Sequence, residues 1–169
     1  MLFLYHNLSG MATGSKIRYF FIPSLVVFLL VSCERNKNDV IPDVIVDFTI
    51  DILDYPSLQS VTGSAVIDKS DTRIPDRRYA GGFEDNGVII YRSMENEFLA
   101  YDRTCPHDYA VNSLITKVNV DFTQAICPKC STHYELFSFG TPSSGPGKYP
   151  LKNYKTRFDG RFLSVWNNY

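Results

Sequence analysis

The sequence predicts an all-β domain built as an antiparallel sandwich or barrel, and three observations carry that expectation. Twelve Phe and eleven Tyr accompany many Val and Ile, and branched and aromatic side chains suit a pleated, half-buried surface better than a helix. Val44, Val46, Phe48, Ile50 and Ile52 alternate with Asp43, Ile45, Asp47, Thr49 and Asp51, a period of two that turns one face inward. Short apolar runs then recur between turn signals such as Asp85-Asn86-Gly87 and Asp159-Gly160, the pattern of many short strands joined by tight turns.

The chain begins with an address. Lys16 and Arg18 precede thirteen residues dominated by apolar side chains, Tyr19 to Val31, followed by Ser32-Cys33, the charged, apolar, small order of a signal peptide over residues 1–32. Thirteen helical residues would span about 20 Å, short of the roughly 30 Å hydrocarbon core, and Pro23 interrupts the run. Leu30-Val31-Ser32-Cys33 resembles a bacterial lipobox, which implies that Cys33 is lipidated and becomes the first mature residue. The alternative is an unmodified cysteine beside a cleavage site. Lipidation would hold the protein to the cell envelope, at the outer membrane or the periplasmic face of the inner membrane. Met11 gives a more compact signal than Met1 and is a second candidate start. Residues 33–40, with the polar run Glu34 to Asp39, read as a tether without apolar period.

The folded part is expected over residues 41–169. Beyond the first alternating run, strands are expected at Ser64 to Ile67, Gly87 to Arg92, Glu97 to Tyr101, Asp121 to Ile126, Tyr154 to Phe158 and Arg161 to Trp166, with Asp159-Gly160 as a two-residue hairpin. Tyr55 to Gln59 suits a single helical turn. No segment shows sustained helical periodicity. Seventeen basic and eighteen acidic residues, formal net charge −1, lie without long runs, which argues against a nucleic-acid surface. Hydrolase and phosphate-loop motifs are absent.

With Cys33 assigned to lipid, three cysteines remain, and disulfides need pairs. Cys105-Pro106-His107 and Cys127-Pro128-Lys129-Cys130, separated by nineteen residues, each hold two thiolate or imidazole groups close together. Such groups bind zinc or iron–sulfur clusters. A shared metal site is the preferred reading; a Cys127 to Cys130 disulfide with Cys105 left over is the alternative.

From about Tyr91 to Trp166 the chain resembles the Rieske family. The first box matches as Tyr101-Asp102-Arg103-Thr104-Cys105-Pro106-His107. The second matches as Cys127-Pro128-Lys129-Cys130-Ser131-Thr132-His133-Tyr134-Glu135, and the covering loop as Ser144-Gly145-Pro146. The resemblance implies a small cluster-binding subdomain at about residues 101–150 and a [2Fe–2S] cluster held by Cys105, His107, Cys127 and Cys130. Cys130 stands where the family has its second histidine. A competing register starts the second box at Cys130 and makes His133 the alternate ligand. The resemblance also implies that the Thr132 and Tyr134 hydroxyls bond sulfur, that Gly145 and Pro146 cover the site, and that the disulfide brace of some relatives, whose positions fall on Ala110 and Lys129, is missing. The function implied is one-electron transfer to a protein redox partner, without a catalytic acid or base. The alternative is structural zinc in a non-redox lipoprotein, since three thiolates and an imidazole are a common zinc set. Export favours that alternative, because Lys16-Ile17-Arg18 is not the twin-arginine signal on which folded cluster proteins usually leave the cytoplasm.

Overall fold

Alternation of buried and exposed residues is visible from the first strand onward in the computed structural model, which describes residues 38–167. The signal peptide, Cys33 and residues 33–37 of the tether lie outside the described residues. In β1 (Asp47–Asp51) Phe48 and Ile50 are buried while Asp47 and Thr49 are exposed. The strand is shorter than its apolar pattern. Residues 44–46 are instead held by Asn167, whose Oδ1 accepts from Val46 N at 3.0 Å and whose Nδ2 donates to Val44 O.

The chain continues through β2 (Ser64–Ile67), β3 (Val88–Met94), β4 (Glu97–Asp102), α1 (Pro106–Asn112), β5 (Asn119–Asp121), β6 (Gln124–Ile126), β7 (His133–Glu135), β8 (Thr141–Ser144), β9 (Asn153–Phe158) and β10 (Phe162–Trp166). Short 3-10 turns occupy Ile52–Asp54 and Pro56–Gln59. Two antiparallel sheets result. Six strands run in the order β1-β10-β9-β4-β3-β2, and four in the order β5-β6-β7-β8. The all-β class follows the expectation.

β3 explains how the two halves are joined. Its run Val88-Ile89-Ile90-Tyr91 is buried throughout, unlike the alternating β1, because both its faces are covered. Val88 and Ile90 enter one core with Phe48, Ile50, Leu163 and Val165; Ile89 and Tyr91 enter a second with Tyr101, Cys105, Cys127 and Tyr134. β4 is divided in the same way, Phe98 and Ala100 to the first core and Tyr101 to the second. Continuous apolar runs belong to strands with two covered faces.

Several elements depart from the sequence pattern. The run expected at Asp121 to Ile126 is a hairpin, β5 and β6, turning at Phe122 with φ +50°. β7 and β8 are short, and β8 carries Pro142, tolerated because it is the edge strand of its sheet. α1 has seven residues, of which only Pro106 and Asp108 are buried, too few to print a helical stripe. The last hairpin is offset by one residue: Asp159 N donates to Phe162 O at 3.2 Å, leaving Gly160 (φ +106°) and Arg161 as its central pair. Asn38, expected in the tether, is buried and donates to Pro150 O at 2.6 Å.

Asp102 ties the end of β4 to its surroundings. Fully buried, it accepts from Phe83 N and Tyr154 Oη, each at 2.6 Å on Oδ2, and from Thr104 N at 2.8 Å on Oδ1. These bonds fix the backbone that leads into Cys105. Asp102→Ala leaves three buried donors without their acceptor, and each such loss costs about 1–3 kcal/mol. Urea unfolding should show a loss of about 3 kcal/mol or more, and Tyr154→Phe a smaller loss of about 1–2 kcal/mol; an Asp102→Ala effect below about 1 kcal/mol would contradict this anchoring.

Candidate metal centre

Two loops bring the two cysteine motifs together. The first leaves β4, and Cys105 forms the N-cap of α1 with Pro106 at its first position. A first-turn proline suits a helix start, since its missing N–H would have had no partner there. Cys105 N donates to Thr116 O at 2.8 Å and Tyr109 N to Cys105 O at 3.2 Å, so the segment is held at both ends. The second loop joins β6 to β7. Ser131 N donates to Cys127 O and Cys127 N to Thr132 O, each at 3.0 Å, and Ser131 takes φ +58°. The backbone N–H groups of Lys129 and Cys130 turn toward Cys127 Sγ, as a loop that cradles a thiolate should.

Three sulfurs meet between these loops. Cys105 Sγ and Cys130 Sγ are 3.6 Å apart, and one donor atom each from Cys105, Asp108, Cys127 and Cys130 lies within 4.8 Å of the others. Cys127 Sγ donates to Asp108 Oδ2 at 3.2 Å. Cys105, Cys127 and Asp108 are buried and Cys130 is half-buried. All three cysteines are free thiols; the Cys127 to Cys130 disulfide is absent.

Hydroxyl groups surround the sulfurs. Tyr134 Oη is 3.3 Å from Cys105 Sγ, and Thr132 Oγ1 accepts from Cys130 Sγ at 3.1 Å. Burial first, and the Cys105 contact second, push the Tyr134 phenol far above its ordinary value, so it stays protonated and available to donate to sulfur. The loop after β8 closes over the second motif. Gly147 N donates to Thr132 Oγ1 at 3.0 Å. A Cβ on Gly145, at φ +86°, would lie 2.7 Å from Thr132 Cα, and one on Gly147 would lie 2.5 Å from Thr132 Cγ2. Only glycine permits that approach. Pro146 sits exposed between them.

Neither His107 nor His133 is among the four donors that converge within 4.8 Å. His107 is half-buried in the first turn of α1 and is not a member of the converging set, where Asp108, its neighbour, takes the fourth place. His133 opens β7, half-buried, with Nδ1 3.1 Å from Gln124 Oε1. Sequence reasoning missed Asp108 because it missed α1. In an extended chain residues two apart share a side, but one helical turn brings residues three apart together, and Cys105-x-x-Asp108 is the spacing that would have revealed it.

The donor set fits a soft or borderline metal centre. Thiolates suit iron–sulfur clusters and zinc, and a carboxylate is a known zinc ligand.

No family profile matches this chain, and no curated protein matches it. Similar solved structures include a chain from the complex of reduced oxygenase and oxidized ferredoxin in carbazole 1,9a-dioxygenase, at 16% identity over 73% of this chain and 96% of that one, TM-score 0.45. The Sphingomonas yanoikuyae B1 ferredoxin shows 13% identity over 66% and 94%, TM-score 0.41. The ferredoxin of carbazole 1,9a-dioxygenase from Nocardioides aromaticivorans IC177 shows 12% over 75% and 100%, TM-score 0.44. These likenesses are loose.

Burial raises the Cys105 and Cys127 thiols above the ordinary value of 9.0. The folded chain therefore binds these protons more tightly than the unfolded chain, so their contribution to stability is complete below about pH 9 and declines above it. Metal-free protein should lose urea resistance as pH rises from about 9 to about 10.5, and Cys127→Ala should flatten that slope. An unchanged slope in the variant would contradict the assignment of the buried proton to Cys127.

Proposed function

We propose that this chain is a Rieske-type [2Fe–2S] protein that passes one electron at a time to a protein partner, carried at the bacterial cell envelope on a lipid anchor at Cys33. The observation that carries the reading is the meeting of Cys105, Cys127 and Cys130 from two separate motifs, beneath a glycine-bracketed proline loop packed on Thr132. A bound cluster would supply the one-electron chemistry; the chain's residues hold, shield and tune it. The three sulfurs and one donor from the first turn of α1, where His107 and Asp108 are neighbours, form the holding set. Tyr91, Tyr101, Leu136 and Leu151 line the apolar side and exclude water. No acid or base is required.

Ligand charge sets the working range. Two neutral imidazoles lift Rieske potentials to about −150 to +300 mV, against about −400 mV for plant-type ferredoxins. Three thiolates pull this site toward the lower value, and the Thr132 and Tyr134 hydroxyls beside sulfur offset part of that shift.

A second reading has its own observation. Four donors within 4.8 Å of one another suit a single ion, and tetrahedral zinc with 2.3 Å Zn–S bonds sets its sulfurs about 3.8 Å apart, near the 3.6 Å between Cys105 and Cys130. That reading makes the protein a zinc-stabilised envelope module without redox chemistry.

Metal and acid-labile sulfide analysis, with EPR after reduction, separates the two in protein purified from its own envelope. The proposal expects iron and sulfide in equal amounts, an EPR signal on one-electron reduction and a potential below about −150 mV. One zinc per chain without sulfide would replace it with the second reading. For the anchor, Cys33→Ser should release the protein or leave its signal uncleaved, because the acyl chains provide the membrane affinity; a processed variant still bound as tightly would refute lipidation.

A further inference from the structure

We propose that Asp108 supplies the fourth protein ligand of this centre, giving a donor set of Cys105, Asp108, Cys127 and Cys130 in which His107 takes no part. The inference rests on the metal-centre reading.

Burial is the first reason. Asp108 is 2% exposed, and a buried carboxylate is ordinarily paired with a cation or bound to a metal. None of the ion pairs among the described residues includes it. Its carboxylate is turned instead toward Cys127 Sγ, 3.2 Å from Oδ2. A carboxylate aimed at a nest of thiols has no partner of opposite charge until a cation occupies the space they share.

Helix geometry is the second. Successive helical residues are turned by about 100°, so His107 and Asp108, adjacent in α1, leave the axis in very different directions. Asp108, three residues beyond Cys105 and therefore about one turn on, returns to the side on which Cys105 lies; its own backbone N–H reaches Cys105 Sγ. His107, one step earlier, is half-buried.

Chemistry is the third. Replacing a neutral imidazole by a carboxylate makes every protein donor anionic. Such a set attracts a dication more strongly and lowers the potential of a redox centre, for the same electrostatic reason that all-thiolate clusters are the low-potential ones. A carboxylate oxygen at a metal–ligand distance near 2.0–2.2 Å is ordinary zinc coordination, and the short Asp side chain reaches from the helix without disturbing its first turn.

The test compares His107→Ala, Asp108→Ala, Asp108→Asn and Asp108→Cys in the full-length lipoprotein. Metal content as isolated is measured first; each protein is then stripped by chelator and titrated with Co(II), reading the charge-transfer and d–d absorption bands and competing the ion away with chelator. The proposal expects His107→Ala to keep its metal and its Co(II) spectrum. Asp108→Ala and the nearly isosteric Asp108→Asn should weaken Co(II) binding by at least about a hundredfold, beyond the range seen on loss of outer-shell groups. Asp108→Cys should restore tight binding with the added charge-transfer intensity of a fourth thiolate. The proposal is overturned if Asp108→Asn binds Co(II) like the parent, or if His107→Ala abolishes binding while Asp108→Ala keeps it. A parent protein that contains no metal and takes up no Co(II) overturns the metal-centre reading together with this assignment, and is told apart from the other outcomes by the parent alone.

Discussion

The second core of this protein is organised by an electrostatic constraint: three sulfurs and a carboxylate share one space, with Cys105, Cys127 and Asp108 buried. Thiolates there are opposed by desolvation, which is why burial raises the Cys105 and Cys127 thiols. The space is stable either with its protons in place or with a cation that replaces them. Metal binding at such a site releases protons and strengthens as pH rises. Its free energy is also folding free energy, since the unfolded chain has no preformed site. In zinc-finger peptides that amounts to about 10–16 kcal/mol, comparable to the whole stability of a typical domain.

The β-scaffold serves this constraint by sharing two of its strands. β3 and β4 send alternate residues into two cores, so the six-stranded sheet is both the interior of one half and the floor beneath the sulfurs. Asp102, at the end of β4, connects these roles: its three accepted hydrogen bonds fix the strand end three residues before Cys105. Tyr101, one residue earlier, reaches the 3-10 turn that follows β7 by donating from Oη to Leu136 O at 2.7 Å. The second motif is held from above by the Gly145-Pro146-Gly147 loop and from below by the pairing of β6 and β7. Neither cysteine motif needs to be rigid alone, because the first is held between β4 and α1 and the second between β6 and β7.

Much of this was legible in the residues. Alternation in β1 records burial on a fixed period, and it gave the class and most strands together with the short apolar run of β3 and the turn residues around Gly160. The pairing of Cys105 with Cys127 and Cys130 was legible from spacing, since thiols three residues apart on a tight turn form a pincer. What escaped was structure whose signal is tertiary. α1 is too short for a periodic stripe, β7 buries only Tyr134, and β8 is an edge strand containing a proline. Missing α1 also hid Asp108, which the helix brings within 4.8 Å of the sulfurs.

The central claim is that Cys105, Cys127 and Cys130 bind one metal centre together. X-ray absorption at the edge of whichever metal the native protein carries tests it most directly, by counting sulfur around the metal in the parent and in Cys105→Ser. The account predicts a first shell dominated by sulfur, at about 2.3 Å for zinc, completed by a lighter oxygen or nitrogen donor, with protein sulfur lost from it in the variant. A first shell of oxygen and nitrogen alone, or one unchanged by Cys105→Ser, would contradict it.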